Sequence, residues 1–133
     1  MADAVTSQTV YDGSRRAVMK FTNISDGTGE SAVTKVNVSL LAPYNGNACT
    51  SVQILKISAM TDGMGVNILW DATTDVLCAT VPQNAAYTFE YPDFGGLTNN
   101  AGAGKNGNVL FTTVGASAGD RYTIILDMIK HYG

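Results

Sequence analysis

Gly115-Ala116-Ser117-Ala118-Gly119 fits the G-x-S-x-G pattern of a nucleophile elbow, and Asp120 or Asp127 and then His131 follow in the chain order of an α/β-hydrolase. In that chemistry His131 would take the proton of the Ser117 hydroxyl while a carboxylate holds the imidazole tautomer. The elbow works only as strand–turn–helix, and here the following residues read as a strand. His131 sits where a strand end is expected to fray, and the chain lacks alternating β and α units. A small-residue turn between two antiparallel strands accounts for the segment, and no catalytic residue is expected. Gly102-Ala-Gly104-Lys-Asn-Gly107 likewise spells G-x-G-x-x-G. A dinucleotide loop needs a strand before it and a helix N-terminus after it, whereas Val109–Val114 reads as a strand. Gly104-Lys105 is followed by Asn106 rather than Ser or Thr, which excludes a Walker loop.

Metal chemistry is no better supported. Cys49, Cys78 and the single histidine His131 are too few for a zinc centre, and two reduced thiols are the expectation, with a Cys49–Cys78 bridge as the alternative. Asp71 and Asp75, and Asp26 and Glu30, flank loops rich in oxygen ligands, but neither has the calcium-loop spacing, and Asx and Ser/Thr turns explain them. No cofactor is expected. Trp70, Tyr87, Phe89 and Tyr91 are a candidate sugar-stacking face, though aromatic residues on alternating strands are more often core anchors.

The elements that must carry these residues follow from composition and period. The chain has 133 residues, one domain's length, of which 45% are hydrophobic and only 14% charged. That balance excludes disorder. The net charge is −3 and the basic residues are scattered apart from Arg15–Arg16, so nucleic-acid binding is not expected. No apolar run is long enough for a membrane helix, and Met1–Val5 has no signal-peptide character, so folding in the cytosol is expected. Period-two alternation recurs at Ala17, Met19, Phe21; at Val36, Val38, Leu40 against Lys35, Asn37, Ser39; at Val52, Ile54 and, after an irregular step, Ile57; and at Tyr122, Ile124, Leu126, Met128. The last strand is apolar on both faces at several steps, which places it centrally or against another subunit. Asp12-Gly13, Asp26-Gly27, Asn45-Gly46, Asp62-Gly63 and Asn106-Gly107 supply the turns. About eight or nine antiparallel strands in one all-β sandwich of jelly-roll type are expected over residues 12–133, with residues 1–11 as an arm or edge strand. The segment Pro92–Asn108 reads as a long loop, anchored by Phe94 and Leu97, whose stretch Gly102–Gly107 would be ordered by a partner.

Ser14-Arg-Arg-Ala-Val-Met-Lys-Phe-Thr-Asn-Ile-Ser-Asp-Gly-Thr-Gly-Glu-Ser31 resembles a pattern in small structural proteins of tailed bacteriophages. Leu69–Asp75, Phe94–Leu97 and Thr112–Asp120 extend the likeness over most of the chain. The resemblance implies a virion component: foremost a capsid decoration (cement) protein on the head surface, next a neck or head-completion component. Its partner would be the major capsid protein or another virion protein. A shell with repeated symmetric sites favours a dimer or trimer. A sugar- or host-binding module displayed on the virion is the alternative. No residue roles come with the resemblance. From the residues themselves, Arg15 and Arg16 are candidates for pairing with acidic shell residues. The N-terminal segment and the loop residues Phe94, Leu97 and Lys105 are the other candidate contacts.

Overall fold

A computed structural model describes residues 4–91 and 96–132. Nine strands are present there: β1 (Ala4–Asp12), β2 (Arg16–Ile24), β3 (Val33–Val36), β4 (Cys49–Asp62), β5 (Gly65–Trp70), β6 (Val76–Val81), β7 (Ala86–Glu90), β8 (Val109–Val114) and β9 (Arg121–Tyr132). They form a two-layer β-sandwich. One sheet has the order β1-β2-β9-β4-β7 and the other β3-β8-β5-β6, with every pairing antiparallel. Only the β1–β2 and β5–β6 turns stay within a sheet; each of the other connections changes layer.

The alternation decides which face is buried. In β9, Tyr122, Ile124, Leu126, Met128 and Lys130 point inward while Thr123, Ile125, Asp127 and Ile129 are half-exposed. The interior joins Phe21, Ile54, Ile57, Ile124, Leu126 and Met128 from the larger sheet to Val36, Val66, Ile68, Trp70, Val109 and Phe111 from the smaller. Burying one such side chain stabilises the fold by about 1.5–3 kcal/mol. Phe21 and Phe111 meet across the layers edge to face, their centroids 5.3 Å apart.

Two sequence expectations change, and one irregularity is explained. The alternation Val36–Leu40 does not continue as strand: β3 stops at Val36, and Val38–Leu40 make one 3-10 turn. Asn37 causes this by accepting the Ser39 N–H on its side chain, which competes with the ladder. The irregular step in β4 is a bulge between Ile54 and Lys56. The segment after Gly96 is not a free loop awaiting a partner. Leu97 exchanges two backbone hydrogen bonds with Ile54, Ala103 O accepts from Thr73 N, and Asn108 O accepts from Asp71 N. Asn106 also donates to the Asp71 carboxylate at 2.9 Å.

Candidate docking interface

The outer face of the larger sheet is covered by no other described element. The strand register lays its side chains out in rows. One row runs Thr6, Thr22, Thr123, Met60, Ala86, and the next Gln8, Lys20, Ile125, Ser58, Thr88. A third runs Tyr11, Val18, Asp127, Lys56, Glu90. The first two rows are mostly hydroxyl and apolar, and include Met60 at 61% exposure, with Ile24 beside them at 48%. Shallow hollows of about 420 and 380 Å³ lie among these residues, one lined by Thr22, Ile24 and Thr123 and the other by Ser58, Thr88 and Ile125. Ion pairs stand in the third row and below it, Arg16 with Asp127 and Lys56 with Glu90 at 3.6 Å, while Lys20 stands in the second row and Arg121 and Asp62 border the first.

β1 extends this face past the edge of the sandwich. It pairs only with β2, and every residue from Ala4 to Tyr11 is exposed, including Val5, Val10 and Tyr11. A strand that buries neither face gains little from packing, and its stability rests on the ladder alone. Beneath it, Ser7, Thr9 and Met19 face Thr34, Lys35, Leu40 and Leu41 across a groove of about 410 Å³. Leu40 in that groove is 81% exposed.

The candidate contact residues named from the sequence do not form one patch. Arg16 is engaged: its Nε and a terminal nitrogen grip the two oxygens of Asp127 across the β2–β9 ladder, and this ion pair raises its pKa. Arg15 is exposed in the β1–β2 turn, and none of the ion pairs among the described residues involves it. Leu97 is half-buried against the core. Lys105 is exposed at a cleft of about 610 Å³, with Gln53, Thr98, Asn99 and His131 on its walls. Phe94 lies outside the described residues.

The other chemical readings can be placed as well. Ser117 N donates to Asp120 in the β8–β9 turn, whereas His131 stands at the far end of β9 with Nε2 2.8 Å from Gln53 Oε1. An extended strand of that length separates them by about 30 Å or more, so the three do not meet. G-x-G-x-x-G leads into β8, not a helix. Trp70 is 1% exposed in the interior, and Phe89 and Tyr91 pack against the core, so they offer no stacking platform; the Tyr87 side chain lies outside the described residues. Asp26 accepts the backbone N–H of Thr28 as an Asx turn does, and Asp75 reaches back to accept that of Ala72. No group of three potential metal ligands occurs among the described residues. Cys49 and Cys78 are free and lie on different sheets.

Two arrangements were not foreseen from sequence. Lys130 faces inward with a fully buried side chain, and donates to Asp12 Oδ1 (2.6 Å), Gly13 O (2.9 Å) and Ala42 O (2.8 Å). Burial alone opposes its charge, but hydrogen bonds to Asp12 and Tyr132 outweigh that and raise its pKa. Glu30 and Lys35 form an ion pair at 2.5 Å with side chains 5% and 4% exposed. Alternation assigns Lys35 to solvent. A bulge between Thr34 and Val36 turns it inward instead.

No family model and no curated protein matches this sequence.

Proposed function

We propose that the chain is a non-enzymatic virion protein that decorates and reinforces a bacteriophage head, docking on the major capsid protein and forming a small closed oligomer there. The observation that carries this reading is the uncovered five-stranded face with its hydroxyl and apolar rows. The middle of such a surface is inexpensive to desolvate, since the hydroxyl and apolar rows hold Lys20 as their one charge and the third row's charges are paired, and interface cores are depleted of charge. The resemblance of Ser14–Ser31 and the segments after it to phage structural proteins supplies the partner class. The strand order β2-β9-β4-β7 over β3-β8-β5-β6, with layer changes at most connections, supports reading the sandwich as a jelly roll.

Within this reading β1 and Arg15 are the parts that meet a neighbouring subunit, and Arg16 braces the face through Asp127. The test is a particle lacking the protein. Heads without it are expected to open at lower temperature and under milder osmotic shock than complete heads, with restoration on adding purified protein. Equal robustness of the two particles rejects the reinforcing role. Copy number then separates the positions: a complement matching the shell lattice supports decoration, and a single ring's worth supports the neck.

A further inference from the structure

Surface docking has no use for the polar cluster inside the sandwich. Glu30, Lys35 and Asn23 are buried there, Asn23 at 0% exposure. An ion pair in such a place is often no better than apolar residues of the same volume. Its groups converge on one carboxylate. Glu30 Oε2 holds Lys35 Nζ at 2.5 Å, and Glu30 Oε1 accepts from Asn23 Nδ2 at 2.8 Å. The primary amine and the carboxamide therefore rest on the two oxygens of one carboxylate. Tyr122 Oη donates to the same Oε1 at 2.6 Å. Phe111 lies alongside, its ring centroid 6.0 Å from Lys35 Nζ, with Phe21 and Tyr122 edge-on to it. These rings form an apolar wall beside the amine.

The framework that holds the three groups is stiff. Glu30 N donates to Thr113 Oγ1 at 2.8 Å, and Glu30 O accepts from Thr113 N at 2.9 Å, so β8 grips the residue on both sides. Asn23 is on β2 of the larger sheet, and Lys35 is at the β3 bulge in the smaller. Orientation of this kind replaces much of the entropy cost of bringing two reactants together.

We propose that Lys35 and Asn23 condense to an intramolecular isopeptide bond, with Glu30 as the proton shuttle. The Lys35 ammonium gives a proton to the Glu30 carboxylate, a transfer that turns the ion pair into two neutral groups. The free Nζ lone pair attacks Asn23 Cγ. The tetrahedral adduct collapses with cleavage of the Cγ–Nδ2 bond, while Nζ loses a further proton and the leaving nitrogen gains the proton held by Glu30. Ammonia departs, taking up the last proton as ammonium, and Glu30 returns to carboxylate. One amine and one amide become a secondary amide plus ammonia, with no oxidant or reductant. The bond ties β2 to β3 and so staples one sheet to the other. It is a single-turnover self-modification, independent of the docking reading.

Intact-mass spectrometry of the purified full-length chain under denaturing conditions tests this. The wild type is expected to weigh less than its sequence by one ammonia, and Glu30→Gln and Lys35→Met to weigh what their sequences require. Proteolysis of the wild type should yield one branched peptide joining Asn23 to Lys35, and trypsin should no longer cut after Lys35. A wild-type chain at full sequence mass overturns the proposal. So does ammonia loss without the branched peptide, which would instead mark a cyclic imide at an asparagine. Because these readouts use the wild type, they stand even if the variants fail to fold.

Discussion

Lys130 shows what one buried charge does for this fold. Its three contacts tie the β1–β2 turn and the segment at Ala42 to the end of β9. Lys130→Met strands the Asp12 carboxylate and two carbonyls, and is expected to cost about 3 kcal/mol in urea unfolding, the lower end for breaking a buried pair. The raised pKa fixes the sign of the pH effect. The stabilisation is fully present below the unfolded value near 10.5 and is lost as pH climbs through the higher folded value. The gap between wild type and Lys130→Met should therefore narrow in strongly alkaline urea titrations; a constant gap contradicts the account. Cys78 makes a second residue-scale prediction. Burial pushes its thiol up to about 12, and Cys49 is raised for the same reason. Because the thiolate is the reactive form, both should resist maleimide at neutral pH and react promptly once urea unfolds the chain.

Among the elements, β9 is the plainest in the sequence. Tyr122–Met128 alternates without interruption, and β9 is central in its sheet with Ile125 and Ile129 on the uncovered face. What alternation cannot reveal is a bulge, because one extra residue reverses the facing of everything beyond it. This is why Lys35 was assigned to solvent and the Glu30–Lys35 pair was missed. Asn37 hid the end of β3 in the same way, since its side-chain capping is invisible to hydrophobic period. The proposed docking face is legible only in part. Apolar residues on both sides of β9 announced it, but the breadth of the face depends on which strands become neighbours. Gly107 illustrates how tightly the long connection is docked. Its φ is +85°, and a Cβ there would stand 2.0 Å from Thr50 O at the start of β4. Gly107→Ala should lower stability by about 1–3 kcal/mol through strain and displacement of this loop, measured by thermal unfolding.

At the level of the whole molecule, the proposed docking face and the core are different surfaces, so docking and folding should separate by mutation. Met60→Glu puts a charge in the hydroxyl and apolar rows at a position 61% exposed, where substitutions usually change stability by about 0.5 kcal/mol or less. The variant should unfold like wild type yet fail to co-sediment with heads lacking the protein. Undiminished co-sedimentation would move the contact off this face. The β1 margin carries a different consequence. An exposed rim of backbone donors and acceptors invites end-on growth into fibrils, copy upon copy. Here the pairing of β1 is broken between Thr9 and Tyr11, so that rim is kinked and offers no long straight template. A concentrated stock of this chain should therefore resist polymerising with itself along this rim.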